Sequence, residues 1–157
     1  MIDEIHIDDF CRDAALILLY LYRHFPRKAT LYVEDIIGPE EQDEYGLHSV
    51  RHLSCLSTMI WLAEEGFIRY EDTIRQEALD QVVIAHAPFL HLTSIHNNNS
   101  RFETMDSEEI ANIPESVKAV KYSNIAQIHR ALQSGSSHNV RMIMLDFFRQ
   151  TDSSEKQ

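Results

Sequence analysis

Apolar residues recur along this chain in blocks of helical spacing separated by short alternating runs. Phe10, Ala14, Ile17, Leu18, Leu21 and Phe25 mark the first helix, with Asp8 or Asp9 placed to cap it and Pro26 to end it. Leu16, Leu19, Tyr20 and Tyr22 fill most of its other faces. A helix apolar on nearly every side is expected at the centre of a core, or partly covered by a second chain. Ala29–Tyr32 reads as a strand and Val33–Ile37 as a short helix closed by Gly38-Pro39, followed by a charged loop, Glu40-Glu41-Gln42-Asp43-Glu44. The next helix is expected from His48 to Glu65, with Val50, Leu53, Leu56, Ile60 and Ala63 facing the core and Trp61 beside them. Gly66 supplies the left-handed position that stops it. Phe67–Glu71 and Gln81–Ile84 then read as two strands, and Asp72–Asp80 between them is long for a hairpin connection, with a mobile tip or a helical turn.

Helical spacing returns at Pro88–His96, and Asn97-Asn98-Asn99-Ser100 reads as a linker. The expected organisation is a domain over residues 1–96, a linker over 97–104, a helical appendage over 105–150 and a solvated tail over 151–157. Within the appendage, Asp106-Ser107-Glu108-Glu109 caps a short helix, Pro114 opens a longer one ending near Gln133, and Ser134-Gly135-Ser136-Ser137 turns the chain into a final helix reaching Gln150. Two amphipathic faces result: Val117, Val120, Ile125, Ile128 and Leu132 on one helix, and Val140, Ile143, Met144, Phe147 and Phe148 on the other. Two helices alone cannot easily bury both. Packing back on the first domain would cover the last of these faces; a protein partner or a second copy of the chain is the occupant expected there.

At 157 residues and 44% apolar content the chain can bury a core without staples. Cys11 and Cys55 form no paired framework, which predicts a reducing, cytoplasmic setting. The apolar run Ala14–Tyr22 is too short to span a bilayer, which takes about 20 residues, and Met1–Asp9 is acidic rather than a basic leader. The net charge of −11 weighs against a duplex partner unless a local basic patch exists.

The order helix, strand with short helix, helix, strand, wing, strand, helix resembles the winged helix-turn-helix superfamily of bacterial regulators. The resemblance spans roughly Asp9 to His96. It is carried by Trp61-Leu62-Ala63-Glu64-Glu65-Gly66-Phe67-Ile68-Arg69-Tyr70, similar to a recognition helix entering its wing, and by Val82-Val83-Ile84-Ala85-His86-Ala87, similar to the return strand. Many such regulators follow that strand with leucine-threonine and a glycine; Ile84-Ala85 and Ala87-Pro88 stand there instead. The implied fold is mainly α (α+β), a winged helix with a small β-wing and a C-terminal helical hairpin. In the superfamily's DNA mode, Ser49, Arg51 and His52 would face bases, Arg69 and Arg75 on the wing would reach backbone or minor groove, and the cluster Arg23, Arg27 and Lys28 would add phosphate contacts. Glu40, Glu41, Asp43 and Glu44 before the helix, and Glu71, Asp72, Glu77 and Asp80 in the wing, make the same face net negative.

Candidate chemistry is sparse. His48, His52 and Cys55 at i, i+4 and i+7 share a helix face and offer nitrogen and sulfur donors to a metal, but no fourth ligand is indicated, so neither metal nor other cofactor is expected. His86, His91 and His96 step five residues at a time, about 140° on a helix, and do not converge. The chain has no GxSxG, HExxH, phosphate-binding glycine loop or CxxC, so an enzyme is not expected. The expected function is a non-enzymatic adaptor or accessory subunit acting through protein contacts, its setting in a nucleic-acid-handling assembly left open. The alternative is a homodimeric transcriptional regulator that contacts DNA directly.

Overall fold

The computed structural model describes residues 2–95 and 112–155. In chain order they form α1 (Ile5–His24), β1 (Ala29–Tyr32), α2 (Val33–Ile37), α3 (Val50–Glu64), β2 (Ile68–Arg69), β3 (Asp72–Ile74), β4 (Ala78–Ile84), α4 (His86–Thr93), α5 (Glu115–Tyr122), α6 (Asn124–Gln133) and α7 (Ser137–Glu155). The architecture is α+β: helices around one small antiparallel sheet. No helix among the described residues is long and apolar enough to cross a membrane.

α1 begins at Ile5, earlier than an Asp8 or Asp9 cap would place it; Asp8 lies inside its first turn and Asp3 accepts a hydrogen bond from the Ile5 N–H. Arg141 from α7 pairs with Glu4 and Asp8, at 2.7 and 3.3 Å, fixing the helix start. The all-round apolar surface of α1 is covered within the chain, by α3, α6, α7 and β4. Ile17, Leu18 and Leu21 are buried together with Met59 and Leu62 of α3, Ile125 and Ile128 of α6, and Val140, Met144 and Phe147 of α7.

This shared core corrects the sequence expectation for the last helix. Val140, Met144 and Phe147, expected at a partner interface, are buried inside the chain, and Ile143 and Phe148 pack at the edge of the same core. Phe148 closes an aromatic cluster with Phe10, Trp61 and Phe67, ring centres 5.8, 5.6 and 5.1 Å away. The helix expected from Pro114 to Gln133 breaks at Ser123, whose hydroxyl caps α6 by accepting from the Ala126 N–H; Asn124 is tied to α4 through the carbonyls of Ser94 and His91. Residues 151–155, expected in a solvated tail, continue α7. The expected linker and the short helix after it lie outside the described residues.

In the sheet, β4 is central, with β1 on one edge and β2 and β3 on the other. Ile68↔Ile84 and Arg69↔Val83 continue in the same register as Asp72↔Asp80, Thr73↔Leu79 and Ile74↔Ala78. The segment expected as an open connection is thus itself strand, with the turn confined to Arg75-Gln76-Glu77 and Arg75 at φ 50°. Ala78 and Leu79 supply the reason: both are fully buried, opposite Tyr32 and Leu31 of β1, and the Val33 N–H donates to the Glu77 carbonyl. Long-range pairing with β1 extends a hairpin whose own sequence is largely polar.

α3 is rotated from its expected phase. Its buried residues are His52, Cys55, Thr58, Met59 and Leu62, while Val50 is 81% and Leu53 40% exposed. The inward face sits one residue earlier than the expected stripe, about 100° round the helix. Polar groups tolerate the inward face because each is partnered; among the described residues no buried side-chain nitrogen or oxygen lacks one.

Candidate functional site

Two polar clusters meet at the start of α3, one on each flank. Ser49 caps the helix, its hydroxyl accepting from the His52 N–H at 3.1 Å. Two residues further, Arg51 reaches across to α1 and donates two hydrogen bonds of 2.6 Å to the two oxygens of Asp13, a carboxylate 1% exposed; Asp9 lies 3.8 Å away. The Asp13 hydrogen bonds raise the guanidinium pKa above its ordinary value. The residue expected to read a base is instead bound to the core helix. Cys55 lies beneath this pair; burial, with Asp13 next to it, pushes its thiol up to about 12. Cys11 on α1 is buried likewise and pushed up to about 11. Both cysteines are free thiols.

On the other flank of α3 the charged loop folds back. The Asp43 carboxylate accepts from the backbone N–H groups of Tyr45 and Leu47, the Gly46 N–H donates to the Asp43 carbonyl, and Gly46 takes φ 72°, open to glycine without strain. This compact turn returns Glu40 to the start of α3. One Glu40 oxygen accepts closely from the Ser49 backbone N–H; the other lies 2.7 Å from His52 Nδ1 and 3.4 Å from His48 Nδ1. The Ser49 hydrogen bond leads the effects that hold the Glu40 carboxyl below the usual carboxylate range. The His48 and His52 rings stack with centres 3.8 Å apart and planes 4° from parallel, and His52 Nε2 lies 2.6 Å from the Gln76 carbonyl at the β3–β4 turn.

The nitrogen and sulfur donor set expected on α3 is therefore divided. His48 and His52 converge, but Cys55 belongs to the Asp13 pair, and the third donor is Glu40. Nothing in the local sequence flags Glu40, because its approach depends on the path of an intervening loop.

The other expected cations are dispersed. Arg69 and Arg75 are exposed along the hairpin, Lys28 pairs with Glu71 at 2.8 Å, Arg27 is exposed, and Arg23 approaches His129 of α6 at 3.5 Å. The solvent face of α3 carries Val50, Leu53, Ser54, Ser57 and Trp61, with Glu64 at its end. Beyond Trp61 it runs into a groove of about 290 Å³ whose lining includes Phe67, Pro88 and Phe148.

Comparison with family models, curated proteins and solved structures finds no match to this chain.

Proposed function

We propose that the chain is a winged-helix module that acts without catalysis, as an adaptor or accessory subunit docking other proteins through the solvent face of α3. A winged-helix assignment is supported by the element order and by β1 lying against the return strand β4, opposite β2. The docking role is carried by one observation: from Val50 to Trp61 the exposed face of α3 presents apolar and hydroxyl side chains, while Arg51 is held by Asp13. Phosphate contacts require free cations, and a duplex partner would meet none on this face. Apolar side chains on a helix face, running into an aromatic-lined groove, suit the anchor residues of a protein partner.

The alternative, a homodimeric regulator contacting DNA directly, retains support from Arg69 and Arg75, which stay exposed on the hairpin. A salt-titrated duplex-binding measurement separates the two. An adaptor binds random and genomic duplexes alike, weakly, with a shallow salt dependence. A sequence-selective complex whose salt slope falls in Arg69→Ala and Arg75→Ala variants overturns the proposal and establishes the regulator.

A further inference from the structure

We propose that Glu40, His48 and His52 bind a divalent transition-metal ion of the zinc type. The proposal is independent of the docking role assigned to α3. One donor atom from each residue lies within 4.8 Å of the other two. A four-coordinate ion with bonds of about 2.0–2.2 Å keeps its donors roughly 3.4 Å apart. The two rings stack nearly parallel and Glu40 lies 2.7 Å from His52, so binding requires the rings to tilt toward one another and the carboxylate to draw back.

The supporting groups are those a metal site uses. The Gln76 carbonyl can only accept, so His52 Nε2 carries a hydrogen in their 2.6 Å bond, and Nδ1 is the ring nitrogen that faces Glu40 and would ligate. The oxygen of Glu40 that does not face the rings is held by the Ser49 backbone N–H, which orients the one that does. His52 Nδ1 lies 2.7 Å from a Glu40 oxygen, the distance of a hydrogen bond whose proton an ion would displace on taking both atoms as ligands.

The surroundings fit a cation as well. The three residues line a pocket of about 160 Å³ whose remaining lining includes Glu34, Glu77 and Gln42 but no lysine or arginine. Three carboxylates around two imidazoles favour a divalent charge, and nitrogen donors select zinc, cobalt or nickel over calcium and magnesium. The open side leaves room for a water or a further carboxylate as fourth ligand. The ion would clamp the loop from Glu40 to His48 onto α3, and Leu47 and Val50, at that junction, are both exposed.

The test is uptake of zinc, and of cobalt as its spectroscopic stand-in, by the full chain after chelation. We expect one ion per chain, a cobalt spectrum of low coordination number without a thiolate charge-transfer band, and a melting temperature raised by zinc and restored by chelator. Glu40→Gln and His48→Gln, checked for folding by circular dichroism, should each lose at least about tenfold in affinity, and Cys55→Ala should lose none. Absence of saturable uptake by the unaltered chain overturns the proposal whatever the variants do. Uptake unchanged in both ligand variants also overturns it, by assigning the ion to others of the nine histidines. A thiolate band abolished by Cys55→Ala would overturn it in favour of a sulfur site.

Discussion

Replacing Arg51 by alanine removes two charge-assisted hydrogen bonds, each worth about 1.5–3 kcal/mol, from a carboxylate that is 1% exposed. Breaking a buried ion pair from one side costs about 3–5 kcal/mol, because the remaining charge is left without compensation. Arg51 is itself 32% exposed, so water screens its side of the pair and the lower figure applies, about 3 kcal/mol. For a chain of this length that is a fall in melting temperature of about 6–12 °C. Urea denaturation followed by circular dichroism measures it directly, as a lower midpoint at unchanged slope. The Asp13→Ala/Arg51→Ala double variant should lose less than the sum of the two single variants, since the second change removes the orphaned charge. An Arg51→Ala variant within about 0.5 kcal/mol of the unaltered protein would refute the pair's structural role and free the arginine for a ligand. The same arithmetic governs functional assays: loss of DNA binding in Arg51→Ala reports base reading only if the variant is shown to be as stable as its parent.

Two further perturbations probe the core. Phe147→Ala, at a side chain 1% exposed between α7 and α1, should cost about 3–5 kcal/mol in urea denaturation; a loss below 1 kcal/mol would contradict the shared core. Cys11 and Cys55, with thiols pushed up to about 11 and about 12 by burial, stay protonated across the neutral range. A thiol-exchange reagent at pH 8 should find neither in the folded chain and both after denaturation, and rapid labelling of the native protein would contradict their burial.

Much of the fold was legible because its signals are local. Pro26, Gly38-Pro39 and Gly66 each end an element within two residues of where the sequence places the end, and Ala29–Tyr32 and Val33–Ile37 keep their expected bounds. What could not be read depends on partners far along the chain. Hydropathy puts Val50 and Leu53 inside and His52 and Thr58 outside; the reverse holds because Glu40, Gln76 and the Ser54 carbonyl satisfy the polar side chains. Asp13 sits unremarked in an apolar helix until Arg51, 38 residues later, meets it. The apolar face of the last helix suits the first domain and a second chain equally until α1 is seen to have a face free to receive it.

The docking role of α3 is tested most directly by the mass of the complex recovered from native cells after nuclease treatment, with the tagged chain compared against its Val50→Asp/Leu53→Asp variant. Both changes fall on exposed positions, so the variant should fold. The predicted result is a stoichiometric protein complex that survives nuclease and is lost in the variant. A complex that persists unchanged in the variant, or one that nuclease reduces to a homodimer, would contradict docking through α3.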